Sequence, residues 1–400
     1  MNKNIFSRII HHRMFFPLLS LMLVLLINVL VTVSRGATPG SFFQITLIEQ
    51  TGTLAGPLIT ILNRSAELVI LAVGMTLIVS CTKGADISVG SVMAFSGAVS
   101  IWLLGFGTLK TNNYHVASYV VPYVVGLLAA LVVGGLCGLW HGFLVAKLKI
   151  QPMIATLILL IGARGACKVV ANGQNNLVDV PSYRWLGNWI ENADGKNPLL
   201  FPTPIFVAIL VVAIAAVLLK FTALGMNIQS VGINERSSRI LGLKATRIIF
   251  TVFIISGLCA AIAGMIATSR TGSIDIQNCG KMIELDAILA VALGGNSLAG
   301  GRFSLAGSVI GAITIQTLTT VLYSLSVSPD QLPFFKAVVV IIIVIVQSPQ
   351  LRPLADRAIG ALRGLFGLPP RRRKETATAV DEEEQPVEYE ETNFSQGGVR

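Results

Sequence analysis

ELVILAVGMTLIVSCTKGADISVGSVMAFSGAVS, Glu67 to Ser100, decides how this chain is read. From Leu68 to Ser80 the side chains suit a hydrocarbon solvent. Lys83, Gly84, Ala85 and Asp86 then interrupt, and the chain turns apolar and small again. A charge held at the centre of a bilayer costs about 3 kcal/mol on insertion scales. The interruption therefore reads as a short turn between two spans. Gly84 permits the tight backbone. Asp86 or Ser88 caps the next helix, its oxygen accepting from unpaired N–H groups of the first turn. Ser91, Ala94, Ser96, Gly97 and Ala98 give that helix a thin face, suited to close helix approach or to a solute path. Capping alone explains Asp86. The Gly- and Ser-rich run keeps a translocation role open for Asp86, Ser88, Gly90 and Ser91.

The whole chain has the same character. Of 400 residues, 53% are hydrophobic and 12% charged, against about 25% charged in a soluble domain. Mean hydropathy is +0.74. Aromatics are 7% and glycines number 38, which suits packed membrane helices and not an outer-membrane barrel with aromatic girdles. The expectation is an all-α polytopic bundle. The net charge of +10 reads as basic cytoplasmic loops rather than as a nucleic-acid surface. The cysteines, Cys81, Cys137, Cys167, Cys259 and Cys279, share no metal-ligand spacing and suggest no disulfide framework.

Ten apolar runs are predicted as membrane elements: Met14 to Val33, Ala66 to Cys81, Ser88 to Phe106, Tyr119 to Ala146, Met153 to Val170, Pro202 to Leu219, Ile248 to Ala267, Ala287 to Leu293, Leu305 to Leu325, and Leu332 to Val346. The first is too long for a signal peptide and long enough to span. The Ala287 run is short; it either extends back toward Met282 or is a half-helix. Ten crossings from a cytoplasmic N-terminus return the C-terminus to the cytoplasm. They place Lys147, Lys149, Lys220, Arg236, Arg239, Lys244 and Arg247 inside, in accord with the positive-inside rule. The organisation expected is 1–13 cytoplasmic, 14–351 membrane domain with a cytoplasmic segment at 220–247, and a cytoplasmic tail at 352–400, disordered from 371. KGADISVGSVMAFSGA from Lys83 and GNSLAGGRFSLAGSVIGA from Gly295 echo each other. An inverted repeat and a chance likeness of Gly/Ser/Ala-rich segments are both open readings.

The longest polar stretch placed inside is KFTALGMNIQSVGINERSSRILGLKATRIIF, Lys220 to Phe250. Ile228, Val231, Ser238, Leu241 and Leu243 fall on one side of a short helix, and Gly242 is placed to end it. Such a helix is either plain surface or a docking element. LDAILAVALGGNSLAGGRFSLAGS, Leu285 to Ser308, carries Gly294, Gly295, Ser297, Gly300 and Gly301, but nowhere does the chain show Gly-x4-Gly-Lys-Ser/Thr. Arg164 and Lys168 lie within one predicted span. Lys168 is near its end and snorkels, whereas Arg164 is deeper and faces the bundle interior, a functional candidate. His11, His12, His115 and His141 have no catalytic spacing. No enzyme is read here.

These segments resemble those of a known family. GMTLIVSCTKGADISVGSVMAFSGA, GINERSSRILGLKATRIIFTVFIISGLCAAIAG, KIQPMIATLILLIGARG and LDAILAVALGGNSLAGGRFSLAGSVIGA are similar, in order, to motifs of the permease subunits of ribose- and galactose-type ABC sugar importers. The likeness runs from about Asn63 to Ser348. The chain departs from the pattern at Cys81 to Ala85, where a Gly-Gly-Ile is usual, and at Ser237-Ser238 in place of an Ala pair. The resemblance implies a bacterial inner-membrane permease without an ATPase site of its own, with ATP and Mg held by a partner ATP-binding subunit. It implies a periplasmic sugar-binding protein and a second permease, identical or paralogous. It implies a monosaccharide cargo, galactofuranose first and ribose or another pentose next. Gly232, Asn234, Glu235 and Gly242 match the coupling motif, and Asp86, Ser88 and Gly90 the first Gly-rich motif. A secondary transporter or facilitator is the alternative; it needs ion-coupling residues in the spans, and Asp86 and Glu284 are poorly placed for that. A non-transporting scaffold ranks last.

Overall fold

Proline opens several of the helices. Its missing N–H and fixed φ suit the first helical turn, and Pro57, Pro152 and Pro181 each stand at a helix start. A computed structural model describes residues 14–347 except 37, 39, 50, 106–120 and 191–196. The predicted N-terminal segment 1–13 and the tail from 352 lie outside the described residues. The helices are α1 (Phe15–Ser34), α2 (Pro57–Thr82), α3 (Val89–Leu104), α4 (Tyr123–Gly142), α5 (Pro152–Val170), α6 (Pro181–Arg184), α7 (Thr203–Phe221), α8 (Leu224–Ile233), α9 (Glu235–Ile240), α10 (Ala245–Thr271), α11 (Ile283–Leu293), α12 (Leu305–Ser324) and α13 (Leu332–Gln347). A π-helical turn, Phe143–Lys147, continues α4. Between α1 and α2 a small hairpin pairs β1 (Thr46–Ile48) with β2 (Thr53–Ala55), antiparallel.

All ten predicted apolar elements are helices. Seven are long and apolar enough to cross a bilayer; α3, α11 and α13 are shorter. At 1.5 Å per residue α3 reaches about 24 Å and α11 about 16 Å, less than the roughly 30 Å of hydrocarbon. The Ala287 run is thus a half-helix extended back to Ile283.

Burial ranks the layers. The apolar windows of α2 and α10 are 89% and 67% buried, and those of α5 and α7 only 22% and 17%. So α2 and α10 form the centre, and α1, α4, α5 and α7 face outward. The central contacts are made between small residues. A Cβ on Gly134 in α4 would strike the Gly257 carbonyl and Ala261 of α10, and one on Gly264 in α10 would strike the Met93 carbonyl of α3. Lipid provides no hydrophobic drive between helices, so such close backbone approach supplies the packing energy.

The connections sort to two ends. At one end Lys83 Nζ donates to the Ile233 carbonyl (3.0 Å), Lys149 pairs with Glu235, and Gly301 N–H reaches Ser80. At the other, Leu54 N–H donates to Leu200 and Val178 N–H to Gly272. The echoing segments from Lys83 and Gly295 meet at the first end, whereas an inverted repeat would set them at opposite ends. The echo is not an inverted repeat.

Gly134→Val should force α4 off α10, at a cost of about 1–3 kcal/mol, read as a lower detergent melting temperature. Gly165→Ala, with nothing within 4 Å of a new Cβ, should leave it unchanged or slightly raised.

Candidate functional site

Helix α2 stops where its last carbonyls lack helical partners. Lys83 takes a left-handed φ of 57° and its N–H donates to Val79. This corrects one expectation: Lys83 makes the left-handed turn. Gly84 instead leaves room for Pro152, which a Cβ there would crowd to 2.8 Å. The free Ser80 carbonyl accepts from Gly301 N–H at 2.9 Å, and Gly232 lies so close to the same carbonyl that no Cβ fits. Three segments far apart in sequence therefore converge on one oxygen.

The capping expectation also needs correction. Asp86 and Ser88 are both buried. The Asp86 carboxylate accepts from Ser88 N–H (2.9 Å) and from Ser88 Oγ (2.6 Å). Ser88 sits at the N-cap position of α3 but makes no side-chain cap bond. Burial is the reason. A hydroxyl shut away with a carboxylate donates to it, since that charge-assisted bond is stronger than one to a first-turn amide. Buried His141, from α4, brings Nε2 to 3.5 Å of Ser88 Oγ and sets its ring 5.7 Å from that of Phe253. Ile87 N–H donates to Thr156 Oγ1 of α5 at 3.3 Å. His141 has no sequence neighbour that marks it.

Gly90 lies against the Gly280 carbonyl and Glu284 Oε2, and that carboxylate oxygen is buried with no partner. Ser91 Oγ is likewise buried and unpaired. Arg164 faces inward as expected and donates to the Cys279 carbonyl at 2.6 Å, while Lys168 is exposed. Arg164 thus holds the loop before α11 that Gly90 touches, rather than Asp86 itself. Asp286 of α11 and Lys336 of α13 form an ion pair at 2.7 Å that spacing in the sequence does not reveal.

Between 224 and 243 one helix was expected and two are found. Asn234, extended at φ −152°, breaks the segment and caps α9, its side chain accepting from Ser237 N–H at 3.1 Å. Gly242 ends α9 as expected. Its φ is 83°; its N–H donates to Arg239, and Leu243 N–H to Ser238, the paired bonds of a Schellman end. Ile228, Val231 and Ser238 are buried, but Leu241 is 81% exposed, as is Ile240 at 82%. The break at Asn234 rotates the two faces out of phase, so Leu241 leaves the expected side.

Glu235 bridges Lys149 of the α4–α5 turn (2.8 Å) and Arg239 (2.5 Å). Partial burial raises its carboxyl pKa, but the Lys149 and Arg239 cations outweigh that and hold it below the usual range. Lys83, Lys149, Pro152, Val231 and Glu235 line a cavity of about 270 Å³ beneath this bridge.

In the Gly-rich loop, Gly295, Gly300 and Gly301 all have positive φ. Gly294 packs on Gly307 of α12. Ser297 is exposed, and its Oγ accepts from Ala299 N–H. Buried Asn296 organises the loop: its Nδ2 donates to Val291, Ser304 and Ser308 Oγ, and its Oδ1 accepts from Ser304 N–H at 2.6 Å. Glycines drew attention there; the asparagine between them closes the loop.

The family model described as "Branched-chain amino acid transport system / permease component" matches residues 58–347, which include every segment above. The chain is 42% identical to Galactofuranose transporter permease protein YtfT of Escherichia coli (strain K12) over 83% of its own length and 88% of that protein. It is 40% identical to Fructose import permease protein FruF of Bifidobacterium longum (strain NCC 2705), over 78% and 83%. It is 35% identical to Ribose import permease protein RbsC of Escherichia coli (strain K12), over 73% and 85%.

A carboxyl whose pKa is lowered by folding stabilises above its unfolded value, and that contribution is lost as pH falls through the folded value. The Glu235 bridge should hold residues 234–243 in place from neutral pH down into the acid carboxylate range. Glu235→Gln should raise hydrogen exchange there at pH 7 by a small factor, since exposed pairs contribute about 0–1 kcal/mol. Equal protection in the variant would show that the bridge does not hold the segment.

Proposed function

The chain belongs to the permease-component family whose model it matches over most of its length, and on that premise we propose that it is the membrane-spanning subunit of an ATP-driven importer for a monosaccharide. The names of its relatives support a sugar cargo. Galactofuranose is the first candidate and ribose or another pentose the next. The protein is integral to the inner membrane.

In this reading the 224–244 end is cytoplasmic. Lys149, Arg236, Arg239, Lys244 and Arg247 lie in the turns, the short helix α9 and the first turn of α10 at that end, and the cytoplasmic side collects such cations. The N- and C-termini then both lie inside. Opening and closing of the path is driven by a separate ATP-binding subunit, which holds ATP and Mg. A periplasmic sugar-binding protein delivers cargo to the opposite end, and a second permease, a copy or a paralogue, completes the path. Lipid surrounds α1, α4, α5 and α7.

The observation that carries the reading is the pair Ile240 and Leu241. Both are large, apolar and exposed, and both sit on a short charged helix at the end of the bundle. Asn234, the Glu235 bridge and the Gly242 turn hold that helix firmly. Exposed apolar side chains on a rigid polar element suit docking to a soluble partner. Asp86, Ser88, Gly90, Ser91 and Arg164 then belong to the internal polar lining, and Gly294, Gly295, Ser297, Gly300 and Gly301 to the loop that backs the docking helix.

Ile240→Asp and Leu241→Asp should release the ATP-binding subunit on purification. Sugar uptake into proteoliposomes should fall about tenfold or more, the equivalent of about 1.4 kcal/mol of lost binding. The melting temperature should stay unchanged, as is usual for exposed positions. Full uptake in both variants would remove the docking role. Uptake by the chain alone on an ion gradient would put a secondary transporter in its place.

A further inference from the structure

Two turns that reach the docking segment share an unusual backbone. Among the described residues five other than glycine hold a left-handed φ, and two of them are Lys83 at 57° and Lys149 at 59°. A Cβ is disfavoured in that region, which glycine enters freely. Lys83 ends α2, and Lys149 stands in the turn between α4 and α5.

Both side chains go to the same place. Lys83 Nζ donates to the Ile233 carbonyl at 3.0 Å, and Lys149 Nζ to Glu235 Oε1 at 2.8 Å. Ile233 is the last residue of α8 and Glu235 the first of α9. Between them lies only Asn234, the extended residue at which the two helices part. One ammonium therefore holds each side of the joint. On one side it meets a carbonyl at the negative end of a helix, which suits a cation; on the other it meets a carboxylate.

Folding stability does not account for the arrangement. Lys83 is exposed, and the Lys149 and Glu235 side chains are 47% and 39% exposed. Bonds so open to water contribute little to stability, and each lysine holds a backbone that glycine would hold more easily. Packing does not bridge the gap either. Both lysines, Val231 and Glu235 line the open cavity of about 270 Å³. The contact of Gly232 with the Ser80 carbonyl resists approach but not separation, whereas the lysine bonds resist separation. A left-handed side chain kept where it adds little stability points to a role in function.

We propose that Lys83 and Lys149 are positioning residues of transport. Together they tie the Ile233–Glu235 joint to α2 and α5, so that movement of the docking helix α9 is passed into both helices. The proposal rests on the importer reading above.

The test uses the assembled importer, with its ATP-binding subunit and binding protein, in proteoliposomes. Uptake of labelled D-ribose, D-fructose and D-galactose is measured beside ATP hydrolysis, subunit retention and melting temperature. Lys83→Met and Lys149→Met keep the stem and lose the ammonium. Each should retain the ATP-binding subunit and the melting temperature, yet hydrolyse about five times more ATP per sugar, as for one lost hydrogen bond. Lys83→Arg and Lys149→Arg should restore the wild-type ratio. Lys83→Gly and Lys149→Gly relieve the backbone, so they should melt no lower than wild type and still waste ATP. An unchanged ratio in both methionine variants would overturn the proposal. So would glycine variants that couple normally, since the turn and not the ammonium would then matter. Loss of the ATP-binding subunit or a lower melting temperature in both the methionine and the glycine variants would overturn it too, in favour of a purely structural tie. Wild-type uptake with any of these results leaves the importer standing and removes only the lysine role. If the wild-type assembly takes up no sugar with ATP, the importer reading falls and the lysine role with it.

Discussion

The backbone carbonyl of Ser80 is the point on which the charged end of the bundle depends. It is one of the acceptors that the end of α2 leaves free, and Gly301 N–H supplies its partner. Gly232 must come close to the same oxygen, which only a residue without a Cβ allows. The turn after α2, the loop before α12 and the helix pair α8–α9 are thereby fixed to one another. Lys83 adds a bond to the Ile233 carbonyl, and a Cβ at Gly300 would sit 2.7 Å from the Lys83 stem. A segment held at this many points resists fraying.

Two elements of the bundle, α3 and α11, are shorter than the hydrocarbon layer, and polar backbone at such helix ends is tolerated only where it is shielded from lipid. Their starting turns meet at Gly90, Gly280 and Glu284. Around that meeting point the polar groups come from several other places: Asp86 and Ser88 before α3, His141 on α4, Arg164 on α5. The interior is therefore neither a plain apolar core nor an ion-pair network, but a packed bundle with a polar seam.

Much of this was legible in the sequence. Runs of apolar residues marked all ten elements, because a bilayer demands length and composition above all. Gly242 was readable since a helix of that period needs a left-handed residue at its end. The misreadings have one cause: local pattern does not show which partner a group finds across the fold. Gly84 looked like the turn and Lys83 makes it, because Gly84 had to admit Pro152 at the start of α5. Asp86 looked like a cap for the first turn of α3, and its partners proved to be the N–H and the buried hydroxyl of Ser88 just before that turn. Asn234 broke a helix that periodicity drew as continuous, since its side chain serves better as the cap of α9. His141, Asn296 and the Asp286–Lys336 pair carried no signal in spacing, and the β1–β2 hairpin is too short to show alternation.

The half-helix α11 bears on how the protein is made. At eleven residues, with Glu284 and Asp286 in its first turn, it is too short and too charged to enter a bilayer unaided. The cation that neutralises Asp286 is Lys336, 50 residues further along. A ribosome thus delivers the acid well before its base. The ion pair that settles α11 can therefore form only once α12 and the start of α13 have been made.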